Sequence, residues 1–307
     1  MNCPICNTIS KKKLFEGTLE SSEWHLNGIQ YEYHQCDHCA FIQSTPIPPE
    51  NDLTAFYQEQ YAYDWFEKNK FFKKIQAQHR VFKIRDHLKH AERILDFGCG
   101  HGYFVEELAK KKMQVFGFDI GSDKIKQHGN VKITNKKSLV EYNETEFDVI
   151  TLWHVLEHMQ NHEAILDDLK QRLNPGGTII IAVPNTGSLA FKLVGQKWGW
   201  LQQPYVHINH YNHHNLSLLL EKKGFKICSV TTTDTWDQNL YDLLISYLFY
   251  RHKSRNVVRQ YKAGASGGIF FRLNQLVRLF FTPISYFVSF VRSGKKEGNE
   301  LLIVAKK

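Results

Sequence analysis

From Arg93 onward the chain repeats one pattern, a short apolar run followed by a stretch with helical spacing. The apolar runs are "RILDFG", "QVFGFD", "VKIT", "FDVITLW" and "GGTIIIAVP". They are too short for buried helices and nearly continuous in apolar residues, which suits strands covered on both faces. The intervening stretches, from about Tyr103 to Lys112, near Asp123 and from about His162 to Leu173, supply helical crossovers between parallel strands. Such crossovers are almost always right-handed. The expected class is therefore α/β, a Rossmann-like, doubly wound, mostly parallel sheet of seven strands. A helix over "NHHNLSLLLEKKGF", with Asn212 as cap and Gly224 as stop, leads to the strand "FKICSVTTTD", and "ELLIVAKK" forms the last strand.

Three other segments surround that frame. Residues 1–45 are short strands and turns around cysteines, and the proline-rich "STPIPPEN" marks their boundary. Residues 46–92 read as a helical linker or cap, and 93–307 as the main domain, with 235–297 inserted where a turn would suffice. The net charge of +8 is concentrated. Residues 251–307 hold 12 Lys or Arg against Glu297 and Glu300, so the rest of the chain is close to neutral. The basic character thus belongs to one C-terminal segment, whose distribution matters more than the total, and a nucleic-acid partner is not expected. Met1 leads into the polar "NCPICNTISKKK", which does not read as a signal segment, so the expected compartment is the cytoplasm. Cys99 and Cys228 stand singly in apolar contexts and read as buried, reduced thiols.

"ILDFGCGHGYF" follows the first strand of the frame. Glycines there let backbone approach a ligand, and the next helix presents its unpaired N–H groups. Gly98, Gly100 and Gly102 run G-x-G-x-G behind Asp96, whereas a dinucleotide loop runs G-x-G-x-x-G. Asp119 ends the next strand, where a carboxylate can accept both hydroxyls of a ribose. The ligand should contain a nucleoside.

Asp96 to Gly102, Asp119, "FDVITLWHVLEHM" and "LNPGGTIIIAVPN" together resemble the class I S-adenosylmethionine-dependent methyltransferases over Ile94 to Cys228. The resemblance implies that the loop of Asp96, Gly98, Cys99, Gly100 and Gly102 lies against the aminoacyl part of the cofactor. It implies further that Asp119, with Ile120 beside it, binds the ribose, that Trp153 and His154 border the transferable methyl, and that adenine lies near Asn135 to Leu139. A nicotinamide enzyme, or a scaffold that binds the cofactor without catalysis, remains the alternative.

Methyl transfer needs the acceptor held in line, and a hydroxyl acceptor needs a base near neutral pH. His154 is the first candidate, then His207 and His210, each with a structural, hydrogen-bonding role as its alternative. "VLEH" resembles ubiquinone-biosynthesis O-methyltransferases, in which a Glu-x-x-Glu-His group holds a divalent metal. Glu157 and His158 match that group and His154 replaces its first glutamate, so a metal and a purely loop-orienting role both stay open. His207 and His210 resemble the H-x-x-H-[FY] signature of related enzymes. An adenine amine acceptor would favour an Asn/Asp-Pro-Pro-aromatic string after the fourth strand, and "WHVL" stands there instead.

Cys3-x-x-Cys6 and Cys36-x-x-Cys39 supply four thiolates, enough for a closed, structural tetrahedral zinc site. The small N-terminal zinc ribbon so formed resembles the heads of methyltransferases acting on nucleotide-linked sugars or glycans, and of certain ribosomal-RNA methyltransferases. An RNA enzyme calls for a basic ribbon, yet only Lys11 to Lys13 form a run. Within the insertion, residues 269–294 are amphipathic and basic but carry Arg272, Arg278 and Pro283, which makes spanning a membrane costly. They read either as a peripheral contact with anionic lipid or an undecaprenyl-type substrate, or as a lid over the acceptor pocket. The expected activity is methylation of a hydroxyl, or of a carbon, on a small-molecule, glycan or lipid-linked acceptor.

Overall fold

The computed structural model describes residues 2–9, 11–18, 28–55, 69–120, 127–128, 131–134, 142–202, 204–234, 244, 269–291 and 293–307. The expected short helix near Asp123, the adenine segment Asn135 to Leu139 and most of the insertion lie outside those residues.

The main sheet is built from β4 (Arg93–Phe97), β5 (Gln114–Phe118), β6 (Gln127–His128), β7 (Val131–Thr134), β8 (Phe147–Trp153), β9 (Leu173–Pro184), β11 (Lys226–Thr233) and β12 (Glu300–Lys306). Their spatial order is β11-β12-β9-β8-β4-β5-β7-β6. The pairs β8/β9, β4/β8, β4/β5 and β5/β7 are parallel, and β11, β12 and the two-residue β6 join antiparallel. The expected doubly wound sheet is present, with seven longer strands and β6 as an eighth at its edge. Continuous apolar runs are needed because alternate residues enter different cores. Leu95, Ile150, Ile179 and Ile181 face one, whereas Ile94, Val149 and Ile180 face the other. The strand order reverses between β4 and β8, and their carboxyl ends open the crevice where doubly wound folds bind ligands.

Helix α2 (Lys70–Lys83) and α3 (Tyr103–Leu108) cover one face through Ala77, Val81, Phe104 and Leu108. On the other face lie α4 (His162–Arg172) and α6 (His213–Lys222), bringing Leu166, Leu169, Leu216 and Leu219. Asn212 caps α6 as expected, accepting from the His214 and Asn215 N–H groups, and Gly224 ends the turn beyond it at φ +72°. Helix α3 is shorter than its sequence suggests. Pairing of Gln114 N–H with the Glu92 carbonyl starts β5, and the exposed Lys110 to Lys112 offer no apolar face to continue the helix. Cys228 corrects another expectation: it is exposed, because β11 is an edge strand, while Cys99 is buried.

The cysteine segment forms β1 (Lys11–Thr18), β2 (Gln30–Cys36) and β3 (Ile42–Thr45), followed by the short α1 (Glu50–Ala55). Its antiparallel sheet gains a fourth strand, β10 (Asn209–His210), from far along the chain, with Asn209 opposite Gln43 and His210 opposite Ile42. The seam between ribbon and main domain is sealed by buried hydrogen bonds, from the Tyr33 hydroxyl to the Leu201 carbonyl at 2.7 Å and from the Ser44 hydroxyl to the Pro204 carbonyl at 2.7 Å. Ile42 and Tyr33 pack there with Trp198 and with Ala190 of α5 (Leu189–Val194). Cys3, Cys36, Cys39 and Phe41 share a core with Phe97 and Leu216. The ribbon is thus built into the domain.

The last helix, α7 (Ile269–Val291), contains Pro283 and leads through a short turn into β12. Among the described residues no helix is long and apolar enough to cross a membrane.

Candidate functional site

At the carboxyl end of β4 the three loop glycines adopt left-handed backbone, φ +77° at Gly98, +52° at Gly100 and +76° at Gly102. A Cβ on Gly98 would lie 2.3 Å from Val155, and one on Gly102 2.8 Å from Ile133. At Gly100 a Cβ would meet no protein atom within 4 Å. Two glycines thus let the loop fold tightly, and the third leaves backbone bare on an open face. The loop is fixed by N–H bonds from Gly98 (2.7 Å) and Cys99 (3.0 Å) to the Phe118 carbonyl. Gly100 N–H donates to the Asp119 carboxylate at 2.7 Å, which brings that carboxylate to the same open face, with Ile120 next to it. The Cys99 thiol packs on Gly117 beneath the loop and burial pushes its pKa well up, so only its backbone is turned to a ligand.

Asp96 is buried behind the loop. Burial raises its carboxyl to about 7, opposed by the hydrogen bond from Thr151 Oγ1 at 2.7 Å and by the Arg80 charge. Arg80, from α2, places its guanidinium 4.8 Å above the Trp153 ring, and Trp153 in turn meets Phe104 edge-on at 5.5 Å. Arg80 was not singled out by the sequence, because a basic residue in an aromatic helix signals only a solvated flank. The open glycine face, the Asp119 carboxylate and a cation at the Trp153 end fit the ribose, sulfonium and amino-acid parts of S-adenosylmethionine.

His154 follows β8 with left-handed backbone, φ +58°, a conformation rare outside glycine. Its N–H donates to the Ala182 carbonyl, and its ring lies between two carboxylates, Nε2 2.9 Å from Glu300 and Nδ1 3.3 Å from Glu157. Burial pulls its pKa down, but the bonds and charges of Glu157 and Glu300 outweigh that and raise it to about 9. This corrects the expectation of a base at His154: the imidazole is a cation at neutral pH with both nitrogens engaged. Glu300 also receives the Lys83 ammonium at 2.7 Å. Despite burial, Lys83 and His154 hold the Glu300 carboxyl well below its ordinary range. Lys83, Glu300 and Glu157 were missed as a group, since Glu300 lies 146 positions from His154 and only the sheet joins them.

His207 and His158 flank Glu157 on its other side. His207 Nδ1–H donates to the Trp200 carbonyl at 2.8 Å, and His158 Nδ1–H to the Val206 carbonyl at 2.9 Å. Because a carbonyl only accepts, each bond fixes the tautomer and leaves Nε2 as the basic nitrogen. The rings stand 4.7 Å apart, and one ligand atom from each of Glu157, His158 and His207 lies within 4.8 Å of the others. Burial, reinforced by the neighbouring His158 ring, lowers His207 to about 3, so it is neutral. His210 meets the His207 ring edge-on at 6.5 Å but offers no atom to the Glu157, His158 and His207 group. It is buried in the seam with its ring 5.3 Å from Tyr33, and burial lowers it to about 4. The third catalytic candidate therefore sits in the packing between ribbon and main domain.

The two cysteine pairs converge, with Sγ separations of 3.6 Å for Cys3–Cys39 and 3.5 Å for Cys6–Cys36. A disulfide needs about 2.05 Å, whereas a tetrahedron of sulfurs at about 2.3 Å from zinc has edges near 3.8 Å. Each pair forms the same turn: the residue after the second cysteine, Asn7 or Ala40, is left-handed and donates its N–H to the first cysteine's carbonyl. All four sulfurs lie within 4.8 Å of one another, which fits one tetrahedral ion.

A family model described as a methyltransferase domain matches residues 57–230, more than half the chain. A ubiquinone biosynthesis O-methyltransferase of Maricaulis maris is 36% identical over 123 residues, which cover 36% of this chain and 48% of that protein. Another so named, from Psychrobacter arcticus, is 28% identical over 149 residues, 44% of this chain and 57% of the relative. The chain thus spans about half the length of these curated relatives. In the solved structure of an S-adenosylmethionine-dependent methyltransferase from Archaeoglobus fulgidus the TM-score is 0.50 at 20% identity, over 80% of this chain and all of that one. For a Burkholderia thailandensis 1,6-didemethyltoxoflavin-N1-methyltransferase with bound S-adenosylhomocysteine it is 0.52 at 12% identity, over 90% and 95%. These two share the fold. With a family match over more than half its length, on the strand order and glycine loop described above, the chain belongs to the methyltransferase-domain family.

Proposed function

We propose that the protein transfers the methyl group of S-adenosylmethionine to a hydroxyl of a glycan or lipid-linked acceptor. The observation that carries this reading is the neutral, tautomer-fixed imidazole of His207 beside the buried Glu157. The cofactor supplies an electrophilic methyl. Gly98, Gly100 and Asp119 bind its aminoacyl and ribose parts, and Arg80 neutralises its carboxylate. His207 Nε2 accepts a hydrogen bond from the acceptor hydroxyl and aims its oxygen at the methyl, taking the proton only as methyl transfer makes that oxygen strongly acidic, and the Glu157 carboxylate stabilises the imidazolium that forms. His154, held as a cation by Glu157 and Glu300, is a positioning residue that fixes the loop after β8. The hydroxyl is favoured over carbon because nearby relatives are named O-methyltransferases.

His207→Gln tests this. Turnover with labelled S-adenosylmethionine should fall by about 10²–10⁴ while S-adenosylhomocysteine affinity is unchanged. Unchanged turnover overturns the assignment. Cofactor binding without methyl transfer to any glycan or lipid fraction of a cell extract would favour a non-catalytic binder. The RNA reading has less support, because Lys13 of the ribbon is paired with Glu16 and Glu32.

A second reading has one specific observation behind it. The two Nδ1–H groups are tied to carbonyls, an arrangement that orients metal-binding histidines, and Glu157, His158 and His207 would then hold a divalent cation near the acceptor hydroxyl. Turnover abolished by chelation and restored by Mg²⁺ or Zn²⁺, with the ribbon metal retained, would support it. The four ribbon cysteines we assign to structural zinc, which metal analysis should find at one per chain.

A further inference from the structure

Helix α7 is amphipathic in the reverse sense for a surface helix. Leu276, Phe280, Ile284, Phe287 and Val291 form one stripe at spacings of three and four, and they point away from the protein, with Phe280 70% and Phe287 67% exposed. The opposite stripe, Arg278, Thr282 and Ser285, is turned inward and buried or partly buried. A soluble surface helix places these faces the other way round, since apolar area left in water costs about 25 cal/mol per Å².

The outward apolar surface continues onto α2. The His79 and Tyr286 rings meet edge to face at 5.3 Å, which joins the two helices. Ile75 and Phe82 lie one turn to either side of His79, and with Phe71 they are exposed, Phe82 by 60%. Together the two helices expose Phe71, Ile75 and Phe82 beside Leu276, Phe280, Ile284, Phe287 and Val291, and clustered apolar side chains of this kind mark interaction surfaces.

The charges around that surface select its occupant. Neither residues 70–83 nor residues 269–291 contain a carboxylate, and the exposed Lys70, Lys74 and Lys295 rim the face. Two copies packed face to face would bring these cationic rims together. An anionic lipid surface instead neutralises them while accepting the aromatic side chains into its headgroup boundary. We propose that the α2–α7 face docks the protein on the surface of an anionic bilayer, lying in the interface without crossing it.

The inner side of the same helices bears on the candidate site. Lys83, next to Phe82, holds Glu300, and the segment after α7 runs directly into the strand that carries Glu300. Docking therefore sets the acceptor crevice close to the lipid headgroups.

The test uses the full chain and sucrose-gradient flotation with phosphatidylcholine vesicles, with and without phosphatidylglycerol. Wild-type protein should float with the phosphatidylglycerol vesicles and remain at the bottom with phosphatidylcholine alone. The exposed-site variant Leu276→Glu/Phe280→Glu/Phe287→Glu should float at least about tenfold less, with S-adenosylhomocysteine affinity unchanged as the check on folding. Absence of flotation by wild type, or flotation unaltered in the variant, overturns the proposal. So does a wild-type dimer that the variant converts to monomer, which would make the face a contact between copies. Cofactor binding and methyl transfer are read separately, so failure of the proposed activity leaves this result standing.

Discussion

The two halves of the crevice are built in opposite ways. The cofactor half is local: Asp96, the three glycines and Asp119 span 24 positions on two adjacent parallel strands, and the loop bonds to the very next strand. The half we assign to the acceptor is assembled from afar, with His154 just after β8, His207 before β10, Glu300 on β12 and Lys83 on α2. It also leans on the ribbon, because β10, two residues after His207, is paired to β3. The first half should therefore tolerate damage to distant parts of the chain better than the second.

The hardest blow to that contrast is metal loss. Cys39→Ser, or stripping zinc with a chelator, should loosen the ribbon and with it β10, abolishing turnover. S-adenosylhomocysteine affinity should drop far less, and calorimetry beside an activity assay measures the gap. Equal loss of both would mean that the halves are not separate.

Next comes Glu300→Gln, which leaves Lys83 and the His154 imidazolium without their buried counter-charge and should cost about 3–5 kcal/mol in urea unfolding. It should also change the alkaline limb of stability. The folded pKa of His154, about 9, lies above its unfolded value of about 6.5. Its stabilisation is therefore complete below about pH 6.5 and is lost as pH rises through about 9. The variant should show a smaller loss at lower pH, because Glu157 still faces the ring.

Asp119→Ala is expected to weaken S-adenosylhomocysteine binding by about 100-fold, the effect of losing hydrogen bonds to a charged acceptor. Because Asp119 belongs to the local half, global stability should hardly change.

The smallest effect lies on the acid side. His162 is buried between Phe41 and Tyr211, and burial lowers it to about 4. With an unfolded value of about 6.5, its contribution is complete above that pH and is lost as pH falls through about 4. His162→Phe should flatten the acid limb by about 1.4 kcal/mol per pH unit in that window, measured by denaturant titration.

Legibility followed the same division. The strands, the G-x-G-x-G loop, Asp119, the Asn212 cap and the cysteine pairs could be read because each signal lies within a few residues or between adjacent strands. Glu300 opens an apolar terminal strand, and nothing near it in the chain announces the histidine it meets. His207 and His210 looked equivalent as neighbours in one signature, yet His207 stands before β10 with its ring on His158, while His210 is on β10 with its ring on Tyr33. The apolar stripe of α7 was visible as periodicity, but periodicity does not say which face turns inward. The pairing of β10 with the ribbon was hidden for a simpler reason, since two residues are too few to carry a strand pattern.

That short strand also has a consequence for biosynthesis. Gln43 and its partner Asn209 are 166 positions apart. At roughly 5–20 residues per second, a ribosome needs on the order of ten to thirty seconds to deliver the second after the first. During that interval the nascent ribbon has all four cysteines but only three strands, and its seam residues Tyr33, Ile42 and Phe41 have nothing to pack on. If the ribbon holds the zinc we assign to it, metal capture by the two knuckles would stabilise it in that interval, and the zinc supply would then bear on the yield of folded chain before the rest of the domain has been completed.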